Sequence, residues 1–75
     1  MNNDEQRQQA HQDALDTTAL LTVPEAYLRL RISKWKIYDL MNRRLLGYVF
    51  IGSRRFVPVI ALRRYLQQLM QESFA

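Results

Sequence analysis

Residues 21–44 read LTVPEAYLRLRISKWKIYDLMNRR, and this stretch decides the fold. Thr22-Val23-Pro24-Glu25 carries the start signal of a helix. The Thr22 hydroxyl is placed to accept from an otherwise orphaned amide, and the Glu25 carboxylate to accept from the Thr22 amide. Proline is tolerated in a first turn, where its missing N–H has no intrahelical partner to lose. A first helix is therefore expected over about Pro24 to Leu30, with Ala26, Tyr27 and Leu30 facing inward. Ser33 reads as the N-cap of a second helix that runs to about Arg43, because Ile37, Leu40 and Met41 recur at the spacing of one buried stripe. Only Arg31 and Ile32 separate the two helices, so they must turn sharply against each other, which is helix-turn-helix spacing.

Working outward from there, Tyr48-Val49-Phe50-Ile51 and Phe56-Val57 are two β-rich runs flanking Gly52-Ser53-Arg54-Arg55. Such a pattern signals a hairpin. Arg54 and Arg55 are expected at its loop tip, and Tyr48, Phe50 and Phe56 in its core. Pro58 is expected to open a third helix to about Gln71, with Leu62, Leu66 and Leu69 as its apolar stripe and Tyr65 and Met70 beside them. The fold class is thus α+β, mostly α with a small β-hairpin, in the order helix-helix-hairpin-helix of a winged helix-turn-helix. In the other direction, residues 1–16 are rich in Asn, Gln, Asp and Glu and have no face to bury. They are expected to form a mobile polar tail over 1–18, with at most a transient helix from Glu5 to Leu15, ahead of a folded domain over 19–75.

Charge separates the same two regions. Residues 1–20 carry Arg7 against Asp4, Glu5, Asp13 and Asp16, a net of −3. Residues 21–75 carry ten Lys or Arg against Glu25, Asp39 and Glu72, a net of +7, the electrostatic footprint of a polyanion binder. The chain has no cysteine and one histidine, His11, so a metal site and a disulfide framework are both unsupported. With no paired carboxylates and no triad-like serine in the folded part, the chain is expected not to be an enzyme and to need no cofactor. No apolar run approaches the ~20 residues of a membrane span. The polar N-terminus lacks the pattern of a secretory signal. No membrane role is expected, and the chain is expected to act inside the cell.

Taken in order, Leu21-Thr22-Val23-Pro24-Glu25-Ala26, Ile32-Ser33, Ile37-Tyr38-Asp39-Leu40-Met41, Ile51-Gly52-Ser53-Arg54-Arg55-Phe56-Val57-Pro58 and Ala61-Leu62 resemble the excisionase-type winged helix-turn-helix domains, which are similar to the DNA-binding domain of MerR regulators. The resemblance covers about fifty of the 75 residues. It implies double-stranded DNA as the partner, with the second helix in the major groove and the wing in the adjacent minor groove. Three positions depart from the family pattern. Arg31 and Arg44 stand where a glycine is frequent, and Tyr27 where a small alanine is usual. An arginine held left-handed costs roughly 1 kcal/mol. Either the turns differ here, or the added positive charge offsets the strain.

The candidate DNA-binding residues are Lys34, Trp35, Lys36, Asp39 and Arg43 on the second helix, with Arg54 and Arg55 on the wing. Helix-turn-helix proteins read base edges mainly from the N-terminal part of that helix. Lys36 suits guanine O6 or N7 and Asp39 suits cytosine N4, while Lys34 and Arg43 suit phosphates. Trp35 is open between a contact to thymine methyl or sugar and plain core packing. Asp39 is open between a base contact and an intrahelical pair with Arg43. Arg54 and Arg55 are open between a DNA contact, in which one enters the narrow, electronegative minor groove and the other holds phosphate, and a solvated charged turn. Arg63 and Arg64 read as a solvated helix face. Val59 and Ile60 suit either a contact between neighbouring copies on DNA or burial within the chain.

The resemblance implies a sequence-specific DNA-binding protein acting as an excisionase, a recombination directionality factor that bends DNA and helps an integrase excise a phage or other mobile element. The shortness of the segment after the third helix favours this over a MerR-type regulator. A short transcriptional regulator of a mobile element is the alternative, and a protein-interaction module is a third reading. A cognate integrase and cooperative self-association on DNA are the further partners expected.

Overall fold

The computed structural model describes residues 18–74, and the expected tail with its transient helix lies almost wholly outside them. In chain order the elements are β1 (Leu20–Thr22), α1 (Val23–Leu30), α2 (Lys34–Asn42), β2 (Val49–Ile51), β3 (Arg54–Pro58) and α3 (Val59–Phe74). The expected order of helix, helix, hairpin and helix is present, and the fold is a winged helix-turn-helix of the α+β class.

The start of α1 follows the expected chemistry. Thr22 Oγ1 accepts from the Glu25 amide at 3.2 Å, and Glu25 Oε1 accepts from the Thr22 amide at 2.9 Å. The helix ends in a Schellman turn, in which the Ile32 amide donates to the Tyr27 carbonyl and the Arg31 amide to the Leu28 carbonyl, both at 3.1 Å. α2 begins with Ser33 Oγ accepting from the Lys36 amide at 3.0 Å. It closes the same way, through Leu45 to Leu40 and Arg44 to Met41. Arg31 and Arg44 are both left-handed, with φ of 59° and 61°. The turns therefore do not differ from the glycine geometry: arginine adopts it.

The sheet holds one strand that the sequence reading missed. β1 pairs antiparallel with β3, Leu21 opposite Val57, so the sheet runs β1-β3-β2. The hairpin differs from expectation too. Ile51 pairs with Arg54 and Phe50 with Arg55, so the turn is Gly52-Ser53 alone and both arginines belong to β3. Gly52 supplies the φ of 62° that a two-residue turn requires. Strand alternation then divides the side chains. Leu21, Val57, Arg55 and Phe50 share the face toward the helices; Phe56, Val49, Ile51 and Leu20 share the other. The expectation of Tyr48, Phe50 and Phe56 as hairpin core is therefore corrected: Tyr48 and Phe50 are exposed, and Phe56 is half-buried on the outer face.

The core is Leu21, Val23, Ala26, Ile37, Leu40, Met41, Leu46, Val57, Val59 and Leu62, with no polar side chain among its buried members. Tyr27, Leu30 and Tyr65 pack against its edge. Pro58 ends β3 rather than opening α3, and α3 runs on to Phe74. Its stripe is buried only at the start. Val59 and Leu62 enter the core, whereas Leu66, Leu69 and Met70 are exposed, Leu69 lining an open groove with Lys36 and Leu40 of α2. Val59 is thereby used within the chain, and Ile60 stays exposed. Gly47 lets the α2–β2 loop pass close to α3, where an added Cβ would lie 3.2 Å from Ala61 Cβ.

Candidate nucleic-acid interface

The outward face of α2 is set by what its inward face buries. With Ile37, Leu40 and Met41 in the core, Lys34, Trp35 and Lys36 stand in solvent in the first turn. Trp35 is 74% exposed, which rules out core packing. An indole this exposed is available to pack against a partner, and tryptophan is a residue enriched at interfaces. Beside it, the helix start leaves amides and a positive dipole end that favour a phosphate.

Asp39, one turn along, is half-buried and already engaged. Its Oδ1 lies 3.2 Å from Arg43 Nε and its Oδ2 3.8 Å from Lys36 Nζ. The intrahelical pair with Arg43 is thus formed. Pairs this exposed contribute about 0–1 kcal/mol. Both cations can therefore be drawn to a nucleic-acid phosphate or base edge at small cost. Arg43 itself caps the C-terminus of α2.

On the wing, the two arginines part company. Arg54 is exposed, with its guanidinium 5.6 Å from the centre of the Phe56 ring on the outer face. Arg55 turns inward and is half-buried, its guanidinium 4.6 Å from Tyr48, 5.0 Å from Phe50 and 5.3 Å from Tyr38. Tyr38 belongs to α2, so Arg55 ties the wing to that helix. The sequence reading missed these three rings. A two-residue Gly52-Ser53 turn sets Phe50 opposite Arg55 and puts Arg55 on the face of Val57, and that register was the signal available.

Among the described residues every charge but those of Arg55 and Asp39, which are half-buried, stands on the surface. The described residues carry ten Lys or Arg against Glu25, Asp39 and Glu72, and none of these is buried. Glu25 is held below its ordinary pKa of 4.5, first by the Thr22 amide, then by the Thr22 hydroxyl, with Arg29 adding to both. Its charge completes the helix cap, not the interface. Among the described residues no group of three His, Cys, Asp or Glu side chains gathers as a metal site, and no helix is long and apolar enough to cross a membrane.

A helix-turn-helix core, a β-hairpin wing and a basic, tryptophan-bearing outer face on the second helix together define a winged helix-turn-helix protein. Residues 20–70 match the family described as a helix-turn-helix domain. A protein of Streptomyces ambofaciens named Excisionase is 40% identical over 57 residues, which span 76% of this chain and 92% of that protein. The chain belongs to the excisionase-type helix-turn-helix family. No solved structure matches it significantly.

Proposed function

We propose that this chain is a sequence-specific double-stranded DNA-binding protein that acts as an excisionase. The observation that carries the reading is Trp35, exposed among Lys34 and Lys36 on the outer face of a helix whose other side is fully packed. The family match and the excisionase of S. ambofaciens support the same reading.

In this reading the domain over residues 19–75 lays α2 in the major groove, where Lys36 addresses guanine and Lys34 and Arg43 hold phosphates. Asp39 accepts from cytosine or aligns Lys36 and Arg43, which it already contacts. Arg54 approaches the adjacent minor groove, and Arg55 serves the interface from within the wing. Copies bound side by side bend the DNA and help an integrase engage it. The protein acts without a cofactor and without chemistry of its own, at the bacterial nucleoid.

A DNase footprint of the DNA flanking the chain's own gene, at fixed salt and rising protein, tests this. Closely spaced direct repeats that fill cooperatively beside an attachment site are the expected result. A lone or inverted site over a promoter indicates a transcriptional regulator, and no protection anywhere indicates a protein-interaction module.

A further inference from the structure

Little else anchors the outer half of the wing. Of the hairpin's strand residues only Val57 is fully buried, and Val49, Phe50 and Ile51 of β2 are all exposed. What joins this half to the recognition helix is one guanidinium among three rings. Tyr48 and Phe50 meet edge-to-face at 5.8 Å and 87°, and Arg55 lies over both as well as over Tyr38 of α2. Arg55 Nη1 is buried and donates to no acceptor, and among the described residues no carboxylate pairs with Arg55. A guanidinium partly withdrawn from water without an anion loses hydration, and ring faces are what offset that loss here. A planar guanidinium suits this role; a lysine ammonium does not stack in the same way.

We infer that Arg55 is a positioning residue that locks the wing onto α2 through Tyr38 and fixes where Arg54 stands relative to Trp35, without touching DNA itself. This rests on the DNA-binding reading above. The wing is short, and a rigid link matters because phosphate and base contacts from two separate elements must be made in one register.

Two measurements test it on the full-length chain. The first needs no DNA: the Arg55 Nε–H resonance lies upfield through the ring currents of its cage, and Tyr38→Leu moves it back toward the ordinary arginine position. An unshifted resonance in the parent chain removes the cage and the proposal with it. The second compares a duplex enriched by the parent chain from a randomised pool with a scrambled duplex of equal length, below the melting temperature of every variant. Arg55→Ala and Tyr38→Leu each weaken binding to the enriched duplex by about tenfold and hardly change the scrambled one, while the slope of log affinity against log salt stays the same. The double variant loses no more than either single one. Arg55→Lys keeps the charge yet does not restore discrimination.

A slope reduced by about one in Arg55→Ala and restored in Arg55→Lys means a direct phosphate contact and overturns the proposal. So does a fall in melting temperature with unchanged affinity for the enriched duplex, which leaves Arg55 a stabilising role only. A parent chain that enriches no duplex overturns the DNA-binding reading itself, and the cage resonance then still reports whether the lock exists.

Discussion

The recognition helix and the wing use the same materials, cations beside aromatic rings, but their side chains are placed by different rules. On α2 the helical period alone decides: burying Ile37, Leu40 and Met41 leaves Lys34, Trp35 and Lys36 outside, whatever the rest of the chain does. On the wing, placement depends on register. Moving the turn by one residue exchanges the two faces of β3, so the same two arginines would trade roles. A functional face on a helix is thus a local property, whereas one on a hairpin is inherited from its turn and its partners.

That contrast can be broken where it is strongest. Trp35→Ala removes a side chain that supports nothing in the core, so DNA affinity falls by about thirtyfold, ~2 kcal/mol, with an unchanged melting temperature. Fluorescence anisotropy and thermal melts on the same samples check both halves. A fall in melting temperature as large as that of a core variant contradicts the placement of Trp35.

A smaller effect is expected from the wing. Arg54→Ala weakens binding several-fold on many sequences and lowers the salt slope by ~1. An unchanged slope takes Arg54 out of the interface.

Next in size is the backbone at the end of α2. Arg44 is held at a φ of 61° in a Schellman turn where glycine is unstrained. Arg44→Gly is expected to raise the melting temperature by roughly 4–8 °C, since the left-handed conformation costs an L-residue about 1 kcal/mol. An unchanged or lower value means that the arginine side chain makes up for its strain within the free protein.

The smallest effect is the pH dependence of the α1 cap, which lies outside both regions and serves as their control. Glu25 has its pKa lowered in the folded chain, so its stabilisation is complete above pH 4.5 and is lost as pH falls through the lowered value. Glu25→Gln is accordingly less stable than the parent at pH 6.5, and the difference shrinks at pH 3. A difference that is constant with pH contradicts the role of its charge.

Most of the helical frame was legible in the sequence because its determinants are local. Thr22 with Glu25, Ser33, and the Ile37-Leu40-Met41 stripe each act within one or two turns. What was missed depends on distant partners. β1 is three residues long and exists by pairing Leu21 with Val57, which lies 36 residues on. The exposed end of α3 has the period of a buried helix, and only how closely the fold packs against it decides that Leu66 and Leu69 stay exposed. Within the candidate interface, the outward face of α2 was legible and the cage was not. Arg54 and Arg55 resemble a charged loop tip until the two-residue turn places them in a strand.

The most direct test of the account follows amide, indole and guanidinium resonances of the 15N-labelled chain as duplex DNA is added. The largest changes are predicted at Lys34, Trp35, Lys36, Asp39 and Arg43, with Arg54 responding on the wing and the α1 residues Glu25 to Leu28 nearly silent. Changes centred on the exposed half of α3 or on the outer sheet face around Val49 and Ile51, with Trp35 silent, would contradict recognition by α2.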